Sequence, residues 1–299
     1  MTKTIDTIVQ DCDDLFKQNN TVSDDLLDWA GEEFRTLLKE RFQSYGDIRK
    51  HGLRMSQVGK DLRLLYLESK DTETTSFPPH ILRLFLFGDI LEVLVLFMAQ
   101  LSGHEVSDMQ MEVELDGVQG HIDGKIDGTL VDIKSASGNG YKKFADGSIL
   151  TDNDPYGYIG QLAGYHQSNE LSGETEGSPA LLVINKENAQ MTLRKVHDLY
   201  MPDMSQKISD IRDAIDGDML PPKCTGSEPI PQTKNSTNKK IGPACTFCKY
   251  KWRCWDNLRA FKYSNRTDYL CEVNNEPRVE EITHELRDKR TRFSNKSGS

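Results

Sequence analysis

Asp123, Asp132 and Lys134 stand close together in the segment Gly120 to Ser135, GHIDGKIDGTLVDIKS. A pair of carboxylates supplies hard oxygen ligands for a divalent cation such as magnesium, which keeps several waters free for a substrate phosphate. A lysine beside them can position or help deprotonate a water, or neutralise charge developing on a phosphate. Asp127-Gly128 is a two-residue hairpin signal, because both central positions of a type I′ turn need positive φ. With those two residues as the loop, Ile126 pairs with Thr129, and counting outward sets Asp123 opposite Asp132. Strand alternation puts Lys134 on the Asp132 face and turns Val131, Ile133 and Ile122 to the other. Facing carboxylates repel. A bound cation reverses that cost; solvent-facing charges on an edge hairpin are the plainer reading of the same residues.

A third carboxylate, Glu92, lies inside the most apolar stretch of the chain, Ile81 to Leu101. Its neighbours on one helical face are Gly88, Val95 and Ala99, small and apolar enough to pack closely on a sheet. A buried carboxylate without a partner is costly or takes up a proton. A metal shared with Asp123 and Asp132 accounts for it economically. The stretch is long enough to span a bilayer, but Arg83, Asp89 and Glu92 make it a buried helix of a soluble core, and no membrane partner is expected.

In order, Gly88-xxx-Glu92, Gly120-xx-Asp123 and Asp132-Ile133-Lys134 resemble the motifs of the PD-(D/E)XK nuclease superfamily. Gln161-xxx-Tyr165 is similar to the QxxxY motif of its RecB-like branch, and Ser56-xxxx-Asp61-x-Arg63 resembles the start of that branch's nuclease core. The likeness covers roughly residues 55 to 255. Branch members include RecB and AddB nuclease domains, CRISPR-associated RecB-like exonucleases and phage recombination exonucleases. The resemblance implies an α/β, restriction-endonuclease-like core, with a mixed central β-sheet flanked by helices. It also implies metal-dependent hydrolysis of DNA from its ends, in recombination, repair or replication.

Carried over residue by residue, the resemblance makes Glu92, Asp123 and Asp132 ligands of Mg2+ or Mn2+, with the Ile133 carbonyl as a further ligand and Lys134 serving the attacking water. Gln161 and Tyr165, at i and i+4 on one helix, would contact DNA or orient the lysine. Many branch members carry His at the first motif, and Glu92 tilts the likeness towards phage exonucleases. A CRISPR-adaptation nuclease and a non-catalytic, metal-stabilised DNA-binding protein are the alternatives.

Cys245, Cys248 and Cys254 form C-x2-C-x5-C in a short basic and aromatic stretch, which is metal-ligand spacing in a chain with too few cysteines for a disulfide scaffold. Thiolates suit zinc and iron-sulfur clusters alike, and spacing does not choose between them. AddB-type nucleases resemble this segment and hold a 4Fe-4S cluster there, with their fourth cysteine near the position of Asp61. The remaining ligand here is Cys224, with Asp61 and Cys12 as alternatives; Cys271 reads as a free thiol. Such a cluster would staple the C-terminal segment onto the core.

The whole chain has 299 residues and a net charge of -10, which argues against coating nucleic acid by bulk positive charge. Between Pro231 and Leu270, however, nine Lys or Arg against two Asp give a local charge of +7. Lys249, Lys251, Trp252 and Arg253, with Tyr250 and Trp255, form a pattern suited to phosphate contact and base stacking on single strands. Arg63, Lys142 and Lys143 are further DNA-contact candidates. The expected partner is DNA, single-stranded or with free ends.

The elements that must position these groups follow from periodicity. Residues 1 to about 70 read as helical, with a break at Ser69 to Pro79 and a helix to Leu101 capped by Gly103. Strands follow from Met109 to Ser135, then a loop from Gly138 to Pro155, a helix from Tyr158 to Ser168, strands at Ala180 to Asn185 and Met191 to Lys195, and a helix from Asp203 to Ile215. Pro221 to Pro243 reads as a low-complexity linker. The expected organisation is a helical region over 1–54, a nuclease core over 55–220, a cysteine-cluster extension over 221–270 and a polar tail over 271–299. The N-terminus lacks the features of a signal peptide, so a cytoplasmic location is expected.

Overall fold

The computed structural model describes residues 3–43, 52–71, 79–151, 154–171 and 177–287. The last dozen residues, expected to be a polar tail, lie outside them. The chain divides into two compact units, Met1–Lys60 with Ser76–Ser209, and Asp61–Thr75 with Asp210–Ser299. The expected N-terminal region is therefore part of the first unit, because its helix α1 (Ile8–Asp14) buries Ile8 and Cys12 in that unit's core. After it come α2 (Asp24–Gln43) and the short α3 (Met55–Val58); α4 (Leu62–Ser69) belongs to the second unit.

In the first unit, α5 (Pro79–Leu101) starts with Pro79, whose missing N–H costs nothing at a helix start. Gly103, at φ +87, takes the left-handed conformation expected after its C-terminus. The buried side of the helix expected here lies in its second half, with Val93, Val95, Leu96, Met98 and Ala99, whereas Leu84 and Phe87 in the first half and Leu94 in the second are exposed. The strands are β1 (Val106–Ser107), β2 (Glu112–Leu115), β3 (Val118–His121), β4 (Gly124–Ile126) and β5 (Thr129–Ala136). They are followed by α6 (Gly138–Ala145), α7 (Tyr158–His166), β6 (Ala180–Asn185), β7 (Met191–Lys195) and α8 (Met204–Asp216), within which the division between units falls.

The central sheet has the order β1-β4-β5-β6-β7, with β5 and β6 parallel and the other pairs antiparallel. The fold is thus α/β, a mixed central sheet flanked by helices. Alternation along β5 sends Leu130 to a core shared with Met55 of α3 and Leu162, Ala163 and Tyr165 of α7. Val131 and Ile133 go to the opposite core, with Val95 and Ala99 of α5 and Ile8 of α1. Residues expected to form a loop after β5 instead make α6. Its two glycines weaken it as an isolated helix, but Phe144 is buried, and Arg194 donates to the Phe144 and Ala145 carbonyls at 2.9 and 2.7 Å.

In the second unit, β8 (Ile230–Pro231), β9 (Lys239–Lys240), β10 (Arg259–Lys262) and β11 (Thr267–Glu272) make a four-stranded sheet, order β10-β11-β9-β8. Two one-turn helices, α9 (Pro243–Thr246) and α10 (Lys251–Cys254), lie between β9 and β10. The segment expected to be a linker is therefore folded. Its centre is the buried Asn238, whose side chain donates to the Asn275 carbonyl at 2.7 Å and accepts the backbone N–H groups of Asn274 and Asn275, each at 2.8 Å. A buried amide with its bonding capacity used fixes a chain path as firmly as an apolar side chain does. Residues 271–287 are not a tail either, since Ile282 and Thr283 are buried and the Thr283 hydroxyl accepts the Ala260 N–H at 2.9 Å.

Candidate functional site

The hairpin loop is as the sequence predicts, with Asp127 at φ +48, Gly128 at φ +75 and Ile126 paired with Thr129. The ladder runs out to Gly124 opposite Val131 and stops there. Gly124 has φ +157, and a Cβ on it would press on the Ser107 carbonyl at 3.2 Å. The break changes two things. Ile122 bonds by its N–H to the Met111 carbonyl and enters the α7-side core, opposite to its expected place with Val131 and Ile133. Asp123, just outside the ladder, accepts the Ile133 N–H at 2.5 Å.

Asp123 is the middle of three carboxyls. Burial and then the Asp132 charge push its pKa up to about 7, against the opposing influence of Lys134 and the Ile133 N–H. Burial and then Asp123 push Glu92 up to about 8. Asp132, fully buried on β5, is raised by burial despite Lys134. Lys134 Nζ lies 2.7 Å from Asp132 Oδ1. Burial opposes its charge, yet Asp132 and Asp123 carry its pKa above the ordinary lysine value, so it stands as an ammonium. An ammonium there donates hydrogen bonds and neutralises charge.

Each carboxyl has a partner of its own. Gln110 Nε2 donates to Glu92 Oε1 at 2.7 Å, from a loop in which Asp108 and Gln110 hold φ values of +53 and +55. Strained non-glycine backbone of this kind persists where the surroundings impose it, and here Lys125 anchors Asp108 at 2.9 Å. Gln161 Nε2 donates to Asp132 Oδ1 at 3.3 Å and to the Tyr165 hydroxyl at 3.1 Å. The pair shares a helix face, with Tyr165 buried, and through Gln161 it reaches Asp132, the carboxyl that also holds Lys134. Gly120 leaves the room for this, since a Cβ there would meet Tyr165 Cε1 at 2.9 Å.

Asp132 Oδ2 is buried and has no hydrogen-bond partner. An orphaned anionic oxygen among mutually repelling carboxyls suits a hard cation. Among the described residues, no group of three or more His, Cys, Asp or Glu side chains is already arranged to hold a metal ion. Glu92, Asp123 and Asp132 are the residues that could close on one. Ile133 is buried in the β5–β6 ladder opposite Leu182. Sequence reasoning missed Gln110, Asp154 and Tyr158. Asp154 raises the proton affinity of Asp132, and the Tyr158 ring lies 5.8 Å from Lys134 Nζ. An acidic residue shortly before a helix start was the available signal for Asp154.

The cysteine segment lies in the second unit. Burial pushes the Cys224 thiol up to about 12, with Asp61, Cys245, Cys248 and Cys254 adding to it, so these five groups share one locality. The Tyr250 N–H points at Cys248 Sγ at 3.3 Å. The buried Trp255 indole N–H has no normal hydrogen-bond partner and lies where it favours the Cys245 thiolate. N–H groups aimed at sulfur fit thiolate ligation of zinc or an iron-sulfur cluster. Cys12 is a core residue of the first unit, its thiol pushed up to about 11 by burial. Cys271 packs, partly buried, against the second unit's small core of Ile241, Cys245 and Leu258. Asp61 Oδ1 accepts the Thr225 N–H at 3.1 Å and Arg63 donates to the Pro221 carbonyl at 2.7 Å, so both tie α4 to the Cys224 segment.

The basic stripe is less open than its sequence suggests. Lys239, Lys249, Arg259 and Arg266 pair with Glu272, Asp71, Glu276 and Glu281, and Asp268. Tyr250 is buried, donating to Asp71 at 2.8 Å, so it offers no stacking face. Trp252 packs edge-on to Tyr269 at 5.8 Å beneath Arg287, and Lys251 lies over Tyr269 and donates to the Thr246 carbonyl. Arg253 is exposed. In the first unit, Lys142 and Lys143 sit in the last turn of α6, not in a loop.

No family model and no curated protein matches the chain. Among solved structures it is similar to a chain described as "Crystal structure of SSO0001", with 15% identity and a TM-score of 0.39, over 75% of this chain and 96% of that one. A likeness so remote carries no argument. Among the described residues, no helix is long and apolar enough to cross a membrane.

Proposed function

We propose that this chain is a Mg2+- or Mn2+-dependent deoxyribonuclease on a restriction-endonuclease-like core, hydrolysing phosphodiester bonds from DNA ends. The observation that carries this reading is the cluster of Glu92, Asp123 and Asp132 around a lysine held as an ammonium, with one buried aspartate oxygen lacking any partner. A cation held by the three carboxylates would supply a Lewis acid for the phosphate and an acidified water. The chain's own part is positional. Gln161 holds Asp132, Gln110 holds Glu92, and the Ile133 N–H holds Asp123, while Lys134 presents donors to a non-bridging phosphate oxygen. The second unit would carry a thiolate-bound metal centre at Cys224, Cys245, Cys248 and Cys254.

The test is digestion of linear strands labelled separately at the 5′ and 3′ ends, with a circular single strand as control. Shortening of the linear strands alone is expected with Mg2+ or Mn2+, and none with EDTA. Lys134→Ala should lower the rate about 10²- to 10³-fold with folding retained. Full activity in that variant, or binding without cleavage in the wild type, refutes the reading.

A further inference from the structure

Tyr156 lies two residues before Tyr158 and is 60% exposed. The two rings touch, with centroids 5.6 Å apart and planes tilted by 42°, and Tyr158 in turn lies 5.8 Å from Lys134 Nζ. Two ring contacts thus lead from the lysine to an open aromatic face. The aromatic residues Tyr250 and Trp252, which the sequence offered for stacking, are packed within the second unit.

Two hydrogen bonds hold the Tyr156 turn. Asp154 accepts the Gly157 N–H through Oδ1 at 2.9 Å and the Ile159 N–H through Oδ2 at 2.8 Å, fixing the chain on both sides of the ring. Gly157 has φ +77, and a Cβ on it would overlap the backbone of Gly59, so this turn is pressed against the loop after α3. A ring held in place before binding loses little conformational freedom on contact.

We propose that Tyr156 is a stacking platform for an unpaired nucleobase a few nucleotides from the scissile phosphate, which makes the substrate a single strand or an end with an overhang; this rests on the nuclease reading above. Every base has a π-face, so such a platform accepts any sequence. A base inside a duplex is already stacked on both faces and cannot use it. Phosphate at Lys134 and base at Tyr156 would set the register of the strand.

Two measurements on the full chain test this. In the first, single-stranded oligonucleotides carrying 2-aminopurine at one of the three terminal positions of either end are bound in Ca2+. Quenching at one position is expected with wild type and Tyr156→Phe and not with Tyr156→Ala. In the second, KM for an end-labelled single strand should rise about tenfold in Tyr156→Ala, with kcat little changed and Tyr156→Phe near wild type. The advantage of an overhang over a blunt duplex should shrink in parallel. Equal quenching and equal KM in wild type and Tyr156→Ala overturn the platform while leaving the nuclease in place. Quenching without any cleavage by the wild type overturns the nuclease reading and leaves the platform standing.

Discussion

The acid site of the first unit and the basic segment of the second use charge in opposite ways. Around Asp123, the buried Asp132 and the half-buried Asp123 and Glu92 lie close together, and desolvation and mutual repulsion raise their proton affinities. Around Arg259, Glu281 is held down to about 2 by the guanidinium and the Thr283 hydroxyl, and Glu276 is lowered by the same arginine. The second arrangement stabilises the fold it belongs to. The first works against it, and such a cost is retained where the groups serve something other than folding. Sequence density of charge and aromatic residues therefore says little by itself: in the segment richest in both, many of the charges are paired with carboxylates and Tyr250 is buried.

The sharpest way to break this contrast is Asp123→Asn. Cleavage should fall about 10²-fold or more, yet the metal-free protein should become more stable at alkaline pH. The sign follows from the proton count. With Glu92 near 8 and Asp123 near 7, the folded first unit holds protons that the unfolded chain has released by about pH 5, so stability falls as pH rises through 7 and 8. Thermal unfolding in EDTA at about pH 6 and pH 8.5 should show a lower wild-type midpoint at the higher pH and a smaller drop in Asp123→Asn. Mn2+ should raise the wild-type midpoint more at the higher pH; equal shifts at both would count against a carboxylate site.

Next in size is Cys248→Ala: the wild type is expected to purify with a metal that this variant lacks, and the second unit should be less stable in it. Metal analysis with a visible spectrum separates brown iron-sulfur from colourless zinc, and unchanged metal content in the variant removes Cys248 from the ligand set. The smallest effect is expected from Tyr250→Phe. Loss of its bond to Asp71 should destabilise the protein by about 1–3 kcal/mol, with affinity for single-stranded DNA within twofold of wild type. A large loss of affinity with unchanged stability would instead make the aromatic stripe a binding surface.

The hairpin at Asp127-Gly128 and its pairing were legible because turn chemistry fixes register locally. The acids and Lys134 could be read from motif order, and Gln161 with Tyr165 from helical spacing. The side to which Ile122 turns was not, because alternation assumes an unbroken strand and Gly124 breaks it. Gln110 was invisible for a related reason: its approach to Glu92 depends on two positive-φ residues that carry no strong turn signal. The fold of residues 221–243 was hidden by their polarity, since Asn238 organises it through hydrogen bonds that a hydrophobic pattern cannot register.

The second unit is assembled from two stretches of chain with most of the first unit encoded between them. During synthesis, α4 leaves the ribosome well before Pro221, Thr225, Lys249 and Tyr250, the residues that hold Arg63, Asp61 and Asp71. At eight residues, α4 is too short to be stable alone in water. Its partners come later in the chain, and every residue of the acid site, from Glu92 to Tyr165, is made before the cysteine segment that begins at Cys224.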